Sequence, residues 1–121
     1  MRFTESHEWI RMEGEIGVVG ITAHAQKELG DIVFVELPRI GKVVRAAEET
    51  AVLESTKAAS DVYAPVAGEI IAVNQNLKTS CASLNQSPEH DGWLYKLKVL
   101  NPSDADALMN QSEYTTSINP T

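Results

Sequence analysis

Trp93-Leu94-Tyr95-Lys96-Leu97-Lys98-Val99-Leu100 sets Trp93, Tyr95, Leu97 and Val99 on one face of an extended chain, and Lys96 and Lys98 on the other. Successive side chains of a strand point to opposite faces, so this alternation marks an antiparallel strand with one side on a core and one in water. Outward from it, β-type runs recur at 16–21, 32–37 (closed by Pro38), 51–55, 61–64 and 69–74, separated by Gly, Pro and Asn. Two helical pieces interrupt them. Thr22 is placed to cap a helix over 23–29, with Ala25 and Leu29 on one side and Gly30 ending it. After Asn101-Pro102, Ser103 or Asp104 is placed to cap a second helix carrying Ala107 and Leu108. The closing stretch 117–121, from Ser117 to Thr121, reads as a frayed tail. Gly14-Glu15-Ile16-Gly17-Val18-Val19 echoes Gly68-Glu69-Ile70-Ile71-Ala72-Val73, which would suit a sandwich of two matched sheets. No linker divides the chain, so residues 1–121 are expected to form one domain.

The composition narrows the function. At 121 residues with 43% apolar side chains, the chain can fill a single core. Its 17 acidic and 10 basic residues leave a net charge of −7. Nucleic-acid backbones and anionic membrane surfaces require a basic patch, so neither partner is expected. One cysteine, Cys81, allows no internal disulfide and no metal knuckle. His7, His24 and His90 lie scattered, without the short spacings of zinc-binding helices. The opening Met-Arg-Phe-Thr-Glu-Ser-His-Glu-Trp has no signal or transit layout, and no apolar run approaches the roughly 18–20 residues of a membrane span. The expectation is a soluble, cytoplasmic monomer.

Catalytic constellations are missing. No Gly-x-Ser-x-Gly elbow, Gly-rich phosphate loop or His-Glu-x-x-His helix occurs. Cys81 has only Lys78 near it in sequence, and a nucleophilic thiol wants a partner that lowers its pKa. Glu48-Glu49 reads as a solvated turn rather than an acid/base pair. The protein is therefore not expected to be an enzyme. One segment stands apart: Glu54-Ser55-Thr56-Lys57-Ala58-Ala59-Ser60-Asp61, between two β-type runs. Its lysine would sit at a hairpin tip, flanked by the small residues Thr56, Ala58 and Ala59, open to an enzyme that modifies lysine.

This segment resembles the lipoyl attachment site of the glycine cleavage system H proteins, Glu-Ser-x-Lys-Ala-x-Ser-Asp, and is followed here by Ala64-Pro65-Val66-Ala67-Gly68-Glu69-Ile70. Ser6-His7-Glu8-Trp9 is similar to the same family's N-terminal motif. So are Gly20-Ile21-Thr22-Ala23-His24-Ala25-Gln26, the run from Leu29 to Pro38, and Gly92-Trp93. The matches keep their order from about Phe3 to Tyr114.

The resemblance implies a mainly β fold, a lipoyl-domain-like hybrid of two antiparallel sheets, with a short helix after the first strands and a C-terminal helix. It implies lipoic acid in amide linkage on Lys57. Glycine decarboxylase would load an aminomethyl group on the arm's dithiol, a folate-dependent aminomethyltransferase would remove it, and dihydrolipoyl dehydrogenase would reoxidise the arm. A lipoate ligase, or a lipoyl transferase and synthase, would attach the group. A cleft near Ser6, Glu8 and Asp61 would park the loaded arm, since carboxylates and a hydroxyl suit a protonated amine. His7 and His24 would be hydrogen-bonded structural histidines. Biotin carriers flank their lysine with Met, unlike Thr56 and Ala58 here. The alternative role is an H-like lipoyl carrier that relays lipoate to 2-oxo acid dehydrogenases or has another redox use. Two departures stand out. Ala47 occupies a position where the family has Gly, and in 79–91 Cys81, Ser83 and Glu89 replace the family's Pro, apolar residue and Tyr, while Leu84, Asn85 and Pro88 remain.

Overall fold

The computed structural model describes residues 1–119. Among the described residues nine strands form two antiparallel sheets. The larger sheet orders β1 (Arg2–Phe3), β2 (Glu8–Glu13), β3 (Ile16–Ile21), β9 (Tyr95–Val99), β8 (Gly68–Val73) and β5 (Val43–Val44). The smaller orders β4 (Ile32–Glu36), β6 (Glu49–Ser55) and β7 (Ala59–Tyr63). Tyr95, Leu97 and Val99 point into the core from β9 while Lys98 is exposed, as the alternation predicts, but Trp93 lies before the strand and packs against a second cluster instead of sharing their face. The main core, between the sheets, gathers Val19, Ile21, Ile70, Tyr95 and Leu97 against Ile32, Leu53 and Val62.

The echo between the two Gly-Glu-Ile stretches has a different meaning from the one expected. Both β3 and β8 belong to the larger sheet, one on each side of β9. The echo therefore marks two strands of one sheet, not two matched sheets.

The sequence pattern does not reveal β1, β2 or β5. In β2, Glu8, Trp9 and Ile10 are buried in succession, so period-two alternation is lost. The cause is a second core on the outer face of the larger sheet, built from Phe3, Trp9, Val18 and Tyr114. The indole of Trp9 lies over Gly20, its cross-strand neighbour, where a Cβ would come within 2.6 Å of the ring. Its Nε1 donates to the carbonyl of Pro88 at 3.0 Å. Phe3 and Tyr114 stack with ring centroids 4.6 Å apart.

The helices follow from their caps. In α1 (Ala23–Leu29), Thr22 Oγ1 accepts from the Ala25 amide, and Gly30, at φ 84°, ends the helix, as its sequence predicts. The C-terminal region departs from expectation. α3 (Ser103–Asp106) is a single turn without a side-chain cap and stops before Ala107 and Leu108. The longer α4 (Gln111–Ile118) starts from a capping box in which Asn110 and Glu113 exchange side-chain-to-backbone bonds. Ser117 and Ile118 thus belong to a helix rather than to a frayed tail, Asn119 caps it, and Pro120 and Thr121 lie outside the described residues. A 3₁₀ turn (Gln75–Lys78) and α2 (Ala82–Gln86) lie between β8 and β9, where the sequence pattern marks no element. Among the described residues no helix is long and apolar enough to cross a membrane.

Ala47 adopts φ 68°, the left-handed region that costs a residue with a Cβ about 1–2 kcal/mol. Its amide donates to the carbonyl of Ala64 at 2.7 Å, and the Ala64 amide donates back to Glu48, so the turn is held in this shape. Ala47→Gly is expected to stabilise the fold by ~0.5–1 kcal/mol, after allowing for glycine's greater freedom when unfolded. Urea unfolding of both proteins checks this through the midpoint, at unchanged m-value.

Candidate functional site

Lys57 occupies the tip of the β6–β7 hairpin and is exposed. The tip is built by Ser55. Its hydroxyl oxygen accepts from the amides of Lys57 and Ala58, both at 3.1 Å, while its own amide donates to the carbonyl of Ala58 at 2.8 Å. A serine hydroxyl that bonds the backbone two and three residues on closes a turn without glycine. A second tie fixes the tip to the body of the fold: the Thr56 amide donates to the carbonyl of Asp31 at 3.1 Å. The lysine side chain runs back over Gly30, so that a Cβ there would lie 3.1 Å from Cε and 3.3 Å from Nζ. Gly30 therefore serves the helix end and the lysine together. Among the described residues no ion pair involves Lys57. Sequence reading valued the small neighbours only for clearance and missed the structural part of Ser55, whose signal is a serine two residues before the tip.

Asp31 is itself held from the other side. Asn85, in α2, accepts from the Ile32 amide at 2.8 Å and donates to the Ile32 carbonyl at 2.9 Å. It thereby replaces a strand neighbour for the first residue of β4. Gln26 of α1 reaches both the Gly30 carbonyl and Asn85 Oδ1. One side chain in 79–91 thus locks α1, β4 and α2 together behind the lysine.

Ser6 and Glu8 are adjacent in space. Glu8 is only 2% exposed, and its Oε1 accepts from Ser6 Oγ and Thr4 Oγ1, each at 2.6 Å. Its Oε2 takes one longer bond, 3.4 Å, from the Tyr63 amide of β7. Glu8 therefore spans the two sheets. Asp61 lies exposed on that same strand β7, paired opposite Val52. The structure brings Ser6 and Glu8 into direct contact and joins them to the strand that carries Asp61.

The histidine between Ser6 and Glu8 has a different set of contacts. His7 Nδ1 lies 2.8 Å from the Tyr114 hydroxyl, which is 2.7 Å from Thr22 Oγ1. His24, on α1, pairs with Glu28 one turn on. The amide of Ala23 donates to Glu89 at 2.8 Å, so the residue that stands in place of the family's Tyr secures the start of α1. Cys81 is raised in pKa, first by burial and then by the nearby Asp31 carboxylate, the reverse of what an activated thiol needs. A cleft of about 900 Å³ runs between β4 and the 3₁₀–α2 segment, past exposed Val33, Phe34 and Ile40. Asp31 forms part of its wall, whereas Ser6, Glu8 and Asp61 do not.

A chain with these motifs and an exposed lysine at a hairpin tip has many relatives. The family described as Glycine cleavage H-protein matches residues 1–121. The glycine cleavage system H protein of Caulobacter vibrioides is 54% identical over 114 residues, which covers 94% of each chain. That of Parvibaculum lavamentivorans is 50% identical over 115 residues, 95% of this chain and 92% of the other. Among solved structures, the glycine cleavage system H protein of Mycobacterium marinum superposes with a TM-score of 0.86 at 36% identity, covering 98% of this chain and 95% of that one. Similarity over the whole length, in sequence and in fold, establishes that the chain belongs to the glycine cleavage H-protein family.

Proposed function

We propose that this protein is the lipoyl carrier of the glycine cleavage system, with Lys57 as its attachment site. The observation that carries the reading is the lysine itself: exposed, free of ion pairs among the described residues, and mounted on a tip whose backbone is bonded both within the hairpin and to Asp31. An attaching enzyme has to enclose a lysine and find its amine in one place, and this tip offers both. Lipoic acid in amide linkage supplies a disulfide that can be reduced and can hold a one-carbon amine at the end of a long arm. The protein's part is to fix where that arm begins. A tethered group reaches several enzymes in turn at an effective concentration on the order of millimolar, without release to solvent. Glycine decarboxylase, the aminomethyltransferase and dihydrolipoyl dehydrogenase are the partners proposed, with a lipoate ligase or a lipoyl transferase and synthase for attachment, all in the cytoplasm.

Ser6, Glu8 and Asp61 are proposed to receive the charged end of the loaded arm. What supports this is the chemistry of the group, two carboxylates and a hydroxyl, and the lightly used Oε2 of Glu8 beside β7. A protonated amine would add a charge-assisted bond to that oxygen. Because Glu8 is buried and bonded at both oxygens, truncation would unsettle the two sheets. The informative substitutions are therefore isosteric.

Incubation with a lipoate ligase and lipoate is expected to add one lipoyl mass to Lys57, found by intact mass and peptide mapping. Lys57→Arg is expected to abolish the increment while leaving the thermal midpoint unchanged. An increment that persists on the variant would place the attachment elsewhere. Glu8→Gln combined with Asp61→Asn is expected to leave lipoylation intact and to shorten the lifetime of the loaded carrier by roughly tenfold, the worth of one charge-assisted bond. Release of formaldehyde and ammonia from the loaded protein reads that lifetime, and an unaltered rate would remove the pair from the proposed cleft.

A further inference from the structure

His7 and His24 stand 17 positions apart in sequence, yet their rings meet with centroids 4.9 Å apart. Glu28 completes a group of three: one ligand atom from each of His7, His24 and Glu28 lies within 4.8 Å of the other two. We propose that these three side chains form a binding site for a divalent transition-metal ion, zinc being the ion that suits the donor set best.

Two imidazoles and one carboxylate are the donors borderline ions select, and in zinc sites that set leaves a fourth position for water. The scaffold matches the chemistry in three respects. His24 and Glu28 are one turn apart on α1, so both side chains leave the same face of one helix. His7 comes from outside the helix, from the loop between β1 and β2. It is held at φ 71°, in the left-handed region that a residue with a Cβ seldom adopts, and its carbonyl accepts from the Thr22 amide at 3.0 Å. Its Nδ1 is engaged by the Tyr114 hydroxyl at 2.8 Å, which leaves Nε2 for a ligand. Metal-binding histidines characteristically have the second ring nitrogen fixed in this way. When the Nδ1–H donates to Tyr114 and the Tyr114 hydroxyl donates to Thr22, the lone pair of His7 Nε2 is free.

The alternative view is that His24 and Glu28 are a simple surface ion pair. That accounts for two of the residues but not for the third ring against them, and no hydrogen bond among the described residues uses His7 Nε2. Zinc–nitrogen and zinc–oxygen bonds of about 2.0–2.2 Å set tetrahedral ligands roughly 3.3–3.6 Å apart. The ligand atoms now lie within 4.8 Å of one another, so the widest pair has to close by roughly 1.2–1.5 Å while the His24–Glu28 pair opens to admit the ion. Glu28, with 63% of its side chain exposed, and His24, with 32%, have room for the necessary rotations. The site stands apart from the carrier reading, since none of its ligands is Lys57 or a group attached to it.

The test uses the full chain with Lys57 unmodified, titrated with Zn²⁺ by calorimetry and followed by NMR of the histidine rings. One ion per chain is expected, with the His7 and His24 ring resonances moving together and those of His90 unmoved. His24→Ala and Glu28→Gln, both on the surface of α1, are expected to weaken binding by ~100-fold or more. Tyr114→Phe, which keeps all three ligands, is expected to weaken it by about tenfold. Cys81→Ser and His90→Ala are expected to leave it as it was. No saturable binding, binding that survives His24→Ala, or binding lost with Cys81→Ser or His90→Ala would each overturn the proposal.

Discussion

Asn85 holds Ile32 by both of its backbone groups, and much of the site hangs from that pair of bonds. The first residue of a strand commonly leaves a donor or an acceptor without a partner, and a buried unpaired group costs about 1–3 kcal/mol. Here an amide side chain fills the place of a neighbouring strand. The residue before Ile32 is Asp31, whose carbonyl receives the amide of Thr56. The residue before that is Gly30, over which Lys57 lies. Asn85 thus sets the position of the lysine through three consecutive residues without touching it. Gln26 joins α1 to the same amide, so helix, strand and hairpin tip share one fastening.

The larger sheet imposes a second constraint, because over β1–β3 its outer face is covered as well as its inner one. Its inner face meets the three-stranded sheet in the main core, and its outer face is closed by Phe3, Trp9, Val18 and Tyr114. Tyr114 does two tasks at once. Its ring stacks on Phe3, and its hydroxyl reaches Thr22 and His7. Burial raises its pKa, and the bond with Thr22 opposes that shift. The C-terminal helix, far from the lysine in sequence, in this way fixes the cap of α1 and the loop that carries Ser6 and leads into Glu8. Glu8 then joins that loop to β7 through the Tyr63 amide. The N-terminal motif and the strand that follows the lysine tip thus meet through a side-chain-to-backbone bond, although some fifty positions separate them.

The sequence made some of this architecture legible and concealed the rest for identifiable reasons. Strands with one wet face, such as β9, announce themselves by alternation, and α1 is bounded by Thr22 and Gly30. β2 does not, because Glu8, Trp9 and Ile10 are all buried. The helix cap at Asn110 was readable as Asn-x-x-Glu, but Ser103 and Asp104 offered a competing start behind a proline. Of the candidate site, Lys57 stood out as an open lysine at a hairpin tip, while its lipoyl role and Ser6, Glu8 and Asp61 came from the family resemblance. The turn built by Ser55 was signalled only by a serine two residues before the tip, and the fastening at Asn85 and the burial of Glu8 belong to long-range hydrogen bonds that no pattern of polarity encodes. His7 and His24 look scattered in the chain for the same reason: their proximity depends on α1 packing beside the loop before β2.

A carrier places opposite demands on its two halves. The arm has to move, and its base has to stay, because any wandering of the base spreads the arm over a larger volume and lowers its effective concentration at each partner. Glycine is the usual means of making a tight tip, yet the tip here contains none; Ser55 closes it with side-chain bonds instead. Glycine appears at position 30, beneath the lysine, where a Cβ would crowd Cε and Nζ. The flexible residue is thus placed under the lysine rather than in the hairpin, and the backbone of the tip is bonded on both sides. Where the chain departs from its family at Ala47, the strained turn lies at the start of β6, the opposite end of that strand from the lysine. Ala47 and Ala64 bond across the base of the hairpin, so the cost of the left-handed alanine falls on stability and leaves the geometry of the tip unchanged.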